Sequence, residues 1–235
     1  MTSGVSLVRF GFELRPVGEV APWGGDTPSL HWFGLTEGWY WVEVGGVRLL
    51  RFAADYEIPY VDYYVVRFWE DLLAVLPAAV ERVPADLVGF VESDDSGWND
   101  TESEAADAAM EWWASRSVYF GYLRESPSLR CWRSGDQITV DWDAPANFAE
   151  PRALRTTVAV ADFVAAIEDL DAALMNAMEA RIAEVEASPP PGIALDLTQL
   201  RSEHRDRAGW LTRARSRVPE TDWIAVRRGA VQLME

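Results

Sequence analysis

Few side chains in this sequence are of the kinds that carry reactions, and where they fall decides which reactions are open. The histidines are His31 and His204, and the one thiol is Cys131. Two histidines and a single cysteine cannot complete a zinc site built on nitrogen and sulfur, which takes about four donors. Calcium would need oxygens instead, and Glu92-Ser93-Asp94-Asp95-Ser96-Gly97 begins like a calcium loop, with oxygen side chains at its first, third and fifth places and glycine at its sixth. The twelfth place, where a bidentate carboxylate closes the shell, is Ser103, and the eighth, normally apolar, is Asn99. The stretch reads as a solvated acidic loop, so neither a metal nor a cofactor is expected.

General acid–base chemistry has two weak catalytic candidates. His31 opens an aromatic segment near Glu37, at what would be the exposed end of a sheet. His204 lies on the stripe Leu197, Leu200, His204, Ala208, Leu211, which suits a hydrogen-bonded histidine at a helix interface better than a base. Arg67 stands one helical turn before Glu70 and Asp71, the spacing of ordinary surface ion pairs. Cys131 falls on an apolar strand face with no base beside it, as a buried small side chain would. There is no G-x-S-x-G, no phosphate loop and no dinucleotide fingerprint. For binding, the candidates are Trp32, Trp39, Glu43, Asp62, Arg67, Glu70 and Trp132, because exposed tryptophan is a common interface anchor and these polar groups could flank it.

The elements that must hold these residues can be read from periodicity. Val5–Leu14 alternates as a first strand. Residues 30–53 follow, a run of aromatics broken by glycines, which pairs as a hairpin across Gly45-Gly46. That turn sets Val44 against Val47, Glu43 against Arg48 and Val42 against Leu49, and continues to Trp41 with Leu50 and Trp39 with Phe52. Trp39 and Trp41 then share an apolar face and are expected in the core, whereas Trp32, Trp98 and Trp132 are expected to be exposable. Helical spacing of Val61, Tyr64, Val65, Phe68, Leu72, Leu73 and Leu76 predicts an amphipathic helix over 61–76, bounded by Pro77. Thr101-Glu102-Ser103-Glu104 is a capping box for a helix to about Ser115. A second hairpin over 129–142 turns at Gly135-Asp136, opposing Arg130 to Asp141 and Trp132 to Thr139 on a face expected to be wet. Thr156–Val160 is a last strand, and a long helix capped by Asp162 follows, with the stripe Phe163, Ile167, Leu170, Leu174, Met178, Ile182, Val185. Asp196 caps a further helix to about Arg217, and Thr221 a short terminal one.

These elements predict a single α+β domain over 1–235: an antiparallel sheet of aromatic-rich β-hairpins packed against amphipathic helices, with the long helices at the C-terminal end, where 161–235 could form a helical subdomain. The chain carries a net charge of −17, and its basic residues are all arginine. Residues 1–115 hold 20 acids against 6 arginines, whereas residues 199–235 hold 5 against 8. An acidic body excludes nucleic acid and anionic membrane as main partners, because phosphate contacts require concentrated positive charge. No secretory leader and no apolar run of membrane-spanning length is present, and one cysteine fits a reducing compartment, so the protein is expected to be soluble and cytoplasmic.

His31-Trp32-Phe33-Gly34-Leu35-Thr36-Glu37-Gly38-Trp39-Tyr40-Trp41, Tyr60-Val61-Asp62-Tyr63, Arg67-Phe68-Trp69-Glu70-Asp71, Cys131-Trp132-Arg133, Val140-Asp141-Trp142 and Thr221-Asp222-Trp223 together resemble the bacterial family called domain of unknown function 5984. The likeness spans nearly the whole chain and implies a single domain, with no activity and no catalytic residues to carry over. The residues themselves favour a non-enzymatic protein-binding module, of the immunity or antitoxin kind, that covers a basic partner protein. The alternative is an enzyme or small-molecule binder with an aromatic cleft near His31, Trp32 and Trp39, flanked by Glu43 and by Asp62, Arg67 and Glu70. Oligomeric state is left open by the sequence.

Overall fold

The computed structural model describes residues 8–54, 57–149 and 151–235. Of the expected first strand, residues 5–7 lie outside the described residues; the rest is β1 (Val8–Leu14). Strand β2 (Ser29–Leu30) precedes β3 (Glu37–Val44), which pairs antiparallel with β1 along its whole length. The Gly45-Gly46 turn, with φ of 58° and 81°, returns the chain as β4 (Val47–Leu49) in the expected register Val42 to Leu49, Glu43 to Arg48 and Val44 to Val47.

There the expected hairpin stops. Leu50 is buried in a left-handed backbone conformation, φ 62°, which turns the chain out of the ladder. The remaining half of β3 is taken instead by β5 (Val61–Tyr64), which sets Trp39 opposite Asp62 and Tyr40 opposite Val61. Residues 61–64 are therefore strand, and the helix, α1 (Val65–Val80), begins four residues later than its periodicity suggests and carries Pro77 inside it. No side chain of its own segment caps α1; the Val66 amide donates to Thr36 Oγ1 at 3.4 Å, so a distant residue meets a first-turn donor.

The two faces of β3 are also opposite to expectation. Tyr40, Val42 and Val44 are buried, while Trp39 and Trp41 are half-buried on the other side. Both faces are apolar in sequence, so alternation alone does not say which one the helices cover. Trp41 lies across Gly11 of β1, where an added Cβ would come within 2.6 Å of the indole, and Arg48 and Tyr60 cover it from outside at 5.5 and 5.0 Å.

After α2 (Val88–Glu92) comes α3 (Glu104–Ala114), capped by Ser103, whose Oγ accepts from the Ala106 amide at 3.0 Å; Thr101 stands outside the helix. A second antiparallel sheet follows, of β6 (Ser128–Ser134), β7 (Gln137–Asp143) and β8 (Ala153–Ala159), with Arg130 opposite Asp141 and Trp132 opposite Thr139 as read from the turn. Its supposedly wet face is covered: Arg130, Trp132 and Thr139 are all buried, because a helical layer packs there.

Helix α4 (Val160–Ala187) leaves β8 without a break, and Asp162 is in its first turn rather than at its cap. The Val160 amide donates to the Asp136 carbonyl at 3.1 Å, which replaces the cap, and Asp162 still sits favourably at the positive end of the helix dipole. All seven residues of the expected stripe are buried. A two-residue strand, β9 (Ala194–Leu195), runs parallel to β2; Asp196 then caps α5 (Leu197–Arg207) by accepting from the Gln199 amide at 2.8 Å. The predicted single helix is broken at Ala208-Gly209, giving a separate α6 (Trp210–Ser216). Asp222, not Thr221, caps α7 (Trp223–Met234).

The antiparallel sheets packed with helices make this an α+β fold. Its main core joins both larger sheets to α1 and α4; a second joins α2, α3 and α7 around Trp132. The helices of residues 160–234 distribute over the molecule, α4 on β1, α5 on α4, α6 on α1 and α7 on α3. Among the described residues no helix is long and apolar enough to cross a membrane.

Candidate functional site

Two places gather functional side chains, and the first holds much of what the sequence singled out. Helix α5 presents His204 and Arg207, one turn apart, to the segment entering β3. Trp32 is fully enclosed there, contrary to the expectation that it is exposable, and its Nε1 donates to His204 Nδ1 at 3.4 Å. With Nδ1 accepting, the ring proton sits on Nε2, 3.3 Å from Glu179 Oε2. Burial lowers the His204 pKa, with the Glu179 carboxylate opposing and Arg201 adding to the fall. The Arg207 guanidinium lies over Trp32 at 4.5 Å and Trp210 at 4.7 Å and pairs with Glu70.

Glu70 and Arg67 are 3.6 Å apart, and Arg67 Nε is 3.8 Å from Asp71 Oδ2. Asp71 is only 8% exposed, and that oxygen has no hydrogen-bond partner among the described residues. Burial pushes its carboxyl up to about 7, with Arg67 pulling the other way and Glu70 adding to the rise. Beside it the hydroxyls of Tyr40 and Tyr122 share a hydrogen bond of 2.9 Å, and burial raises both phenols. Arg67 also sits 5.9 and 6.0 Å from the rings of Tyr119 and Tyr122. The Arg207–Glu70 pair and the Arg207 contact with Trp210 fasten α5 and α6 to α1, while Asp71 stays the unsatisfied member of the chain.

The remaining predicted residues are spread out. His31 is half-buried, accepts from the Gly34 amide through Nδ1 at 3.1 Å and meets the edge of Trp23 at 4.3 Å; burial lowers its pKa, with Glu203 opposing. Trp39 and Asp62 are strand neighbours joined through Arg15, which pairs with Asp62 and Glu37 and lies 6.0 Å from the Trp39 ring. Glu43, at the turn end of β3, pairs with Arg48 at 3.3 Å. Trp132 is fully buried, so it too corrects the expectation of exposure. Cys131 is enclosed, and burial pushes its thiol up to about 12, which leaves it unreactive.

The second place was not among the sequence candidates. Between residues 92 and 115 there are eight carboxylates and no arginine, and all eight are exposed. Two of them, Asp95 and Asp100, stand on the walls of an open groove of about 390 Å³ lined by Trp98, Met110, Trp113 and Leu233. Ser93 holds the groove together: its Oγ accepts from Trp98 Nε1 at 3.0 Å, and its carbonyl accepts from Trp113 Nε1 at 3.3 Å and Arg130 at 3.0 Å. Trp98 and Trp113 meet edge to face, with centroids 5.2 Å apart. The Asn99 amide donates to the Leu233 carbonyl at 2.8 Å, fixing the acidic loop on α7. The absence of any basic residue from 92–115 was the available signal.

Residues 9–229 match the profile of a family described as a family of unknown function, domain of unknown function 5984. The chain belongs to that family. No curated protein and no solved structure matches it. The match takes in nearly all of both cores of this domain of unknown function 5984 member, the acidic groove except Leu233, and the His204–Asp71 chain.

Proposed function

We propose that the protein is a non-enzymatic protein-binding module of the cytoplasm, of the immunity or antitoxin kind, which covers a basic surface of its partner with the acidic aromatic face of residues 92–114. One observation carries this reading: among the described residues none of the eight exposed carboxylates of 92–115 forms an ion pair, and two of them, Asp95 and Asp100, line an open groove walled by tryptophan and methionine. Uncompensated charge costs self-repulsion in the free protein and is relieved by a cationic partner, which also gains speed of encounter. Aromatic and methionine side chains provide the apolar anchoring that charge alone does not. The alternative, an enzyme or small-molecule binder near His31, Trp32 and Trp39, has less support. Trp32 is enclosed, His204 is held by Trp32 and Glu179, and Glu70 is engaged with Arg67 and Arg207.

The test is affinity capture from the native cell at low salt with the wild-type chain and with the surface reversal Glu102→Arg, Asp107→Arg, Glu111→Arg. A basic protein retained by the wild type, and lost both in the reversal and at high salt, supports the reading. Retention of nothing, or of a protein indifferent to the reversal, overturns it.

A further inference from the structure

We infer that the groove between the 95–100 loop and α3 is a receptor for an arginine side chain of the partner, the guanidinium lying on Trp98 and the carboxylates of Asp95 and Asp100 taking its N–H groups. This rests on the protein-binding reading above and specifies its chemistry. Three observations converge on it.

Asp95 and Asp100 line the groove, are exposed, and form neither an ion pair nor a side-chain hydrogen bond with another side chain among the described residues. Their oxygens are open to an incoming cation: the buried Arg130 acts on Asp95 only through its field, beyond ion-pair distance. The apolar wall supplied by Met110 and Leu233 suits an aliphatic stem, which long basic side chains bury while keeping the charged head near water. The tryptophans then choose between the two basic side chains. A guanidinium is planar and weakly hydrated, so it can lie flat on an indole and fork onto a carboxylate at once, which a lysine ammonium cannot do.

The neighbouring rings already show this pairing internally. Arg130 stands 3.8 Å from the centroid of Trp113, and Arg116 stands 3.8 Å from that of Trp112. Arg130 is buried, bonded to the carbonyls of Val91 and Ser93, and so makes Trp113 a poor seat for a second cation. Among the described residues no guanidinium lies on Trp98; Phe90 stacks against it at 5.0 Å and the groove lies at the ring. The incoming charge is accordingly assigned to Trp98.

The test titrates the full chain with three otherwise identical uncharged-backbone peptides that bear arginine, lysine or citrulline, following the indole N–H resonance of Trp98 in a two-dimensional nitrogen–proton spectrum. Trp98→Phe identifies that resonance. The expected result is binding in the order arginine, lysine, citrulline, with arginine preferred over lysine by at least about threefold, the smaller end of a cation–π difference. Asp95→Asn with Asp100→Asn, both exposed and isosteric, should weaken the arginine peptide by about tenfold or more, as loss of a charge-assisted hydrogen bond does. Equal binding of arginine and lysine, no shift at Trp98, or no effect of the double variant overturns the inference. If that happens while capture by the wild type still fails on the Glu102, Asp107, Glu111 reversal, the protein-binding reading stands and only the arginine seat is wrong.

Discussion

Replacing Asp71 by asparagine should make the protein more stable at neutral and alkaline pH, with a gain that grows up to about pH 7 and holds constant above it. Asp71 points from α1 toward the Tyr40–Tyr122 pair, with an oxygen that no hydrogen bond reaches among the described residues and Arg67 at 3.8 Å as its counter-charge. Its folded pKa is raised, so the folded chain holds this proton more tightly than the unfolded chain does. The stability it contributes is therefore complete below 3.8 and is lost as pH rises through about 7. A carboxyl moved from 3.8 to about 7 corresponds to about 4 kcal/mol between the protonated and ionised limits. Relaxation of Arg67 toward the ionised carboxylate reduces that, so we expect a difference on the order of 2–3 kcal/mol. Urea unfolding of wild type and Asp71→Asn, followed by far-ultraviolet circular dichroism between about pH 4 and about pH 9, isolates this contribution, because the histidines titrate equally in both. The two should converge near the acid end, separate as pH rises to about 7, and keep a constant difference above it. A difference independent of pH, or one that favours the wild type increasingly as pH rises, would refute the assignment of Asp71 as a buried carboxyl held protonated.

Other consequences follow from single contacts. Glu81 accepts from Arg116 at 2.6 Å, Trp112 Nε1 at 3.2 Å and Thr221 Oγ1 at 2.6 Å. Glu81→Ala leaves the fully enclosed Arg116 unpaired and should cost about 3–5 kcal/mol in urea unfolding, with Glu81→Gln costing less. Gly229 is where α7 meets α3: an added Cβ would lie 1.9 Å from the Ala105 carbonyl oxygen and 2.7 Å from Ala109 Cβ. Gly229→Ala should therefore push the helices apart, lower stability by about 1–3 kcal/mol and speed proteolytic release of residues 223–235. Cys131 should not react with a thiol reagent in the native protein at neutral pH and should react at once in denaturant; rapid native labelling would contradict its burial.

Local patterns in the sequence are sufficient wherever one turn or one face decides the structure. The Gly45-Gly46 and Gly135-Asp136 turns fix register over their first pairs, and the stripe from Phe163 to Val185 locates α4 on the core. They fail where a distant segment intervenes. Alternation points Trp39 and Trp41 to the core because both faces of β3 are apolar, yet the helices cover the Tyr40 side and arginines shield the other. Trp132 reads as exposable because its strand alternates, and only α2, α3 and α7, remote in sequence, bury it. Caps behave likewise: Asp196 caps its own helix, whereas α1 and α4 take their first-turn acceptors from Thr36 and Asp136.

The sites follow the same division. His204 at a helix interface is legible, because its stripe is local. Its joining to Trp32, and of Arg207 to Glu70, is not, since those contacts close loops of more than a hundred residues. The carboxylates of 92–115 are visible as an acidic run. That Asp95 and Asp100 flank Trp98, Met110 and Trp113 in one groove depends on α7 closing it with Leu233.

The central claim is that this acidic face is the one a partner covers. Carboxyl footprinting of the chain in low-salt extract of the native cell, against the purified chain in buffer, tests it whatever the partner is. The account predicts reduced labelling of Asp95, Asp100, Asp107 and Glu111 in the extract, restored by high salt, with exposed Glu13 and Asp136 unchanged. Equal labelling of those four carboxylates in extract and buffer, or protection confined to other surfaces, would contradict it.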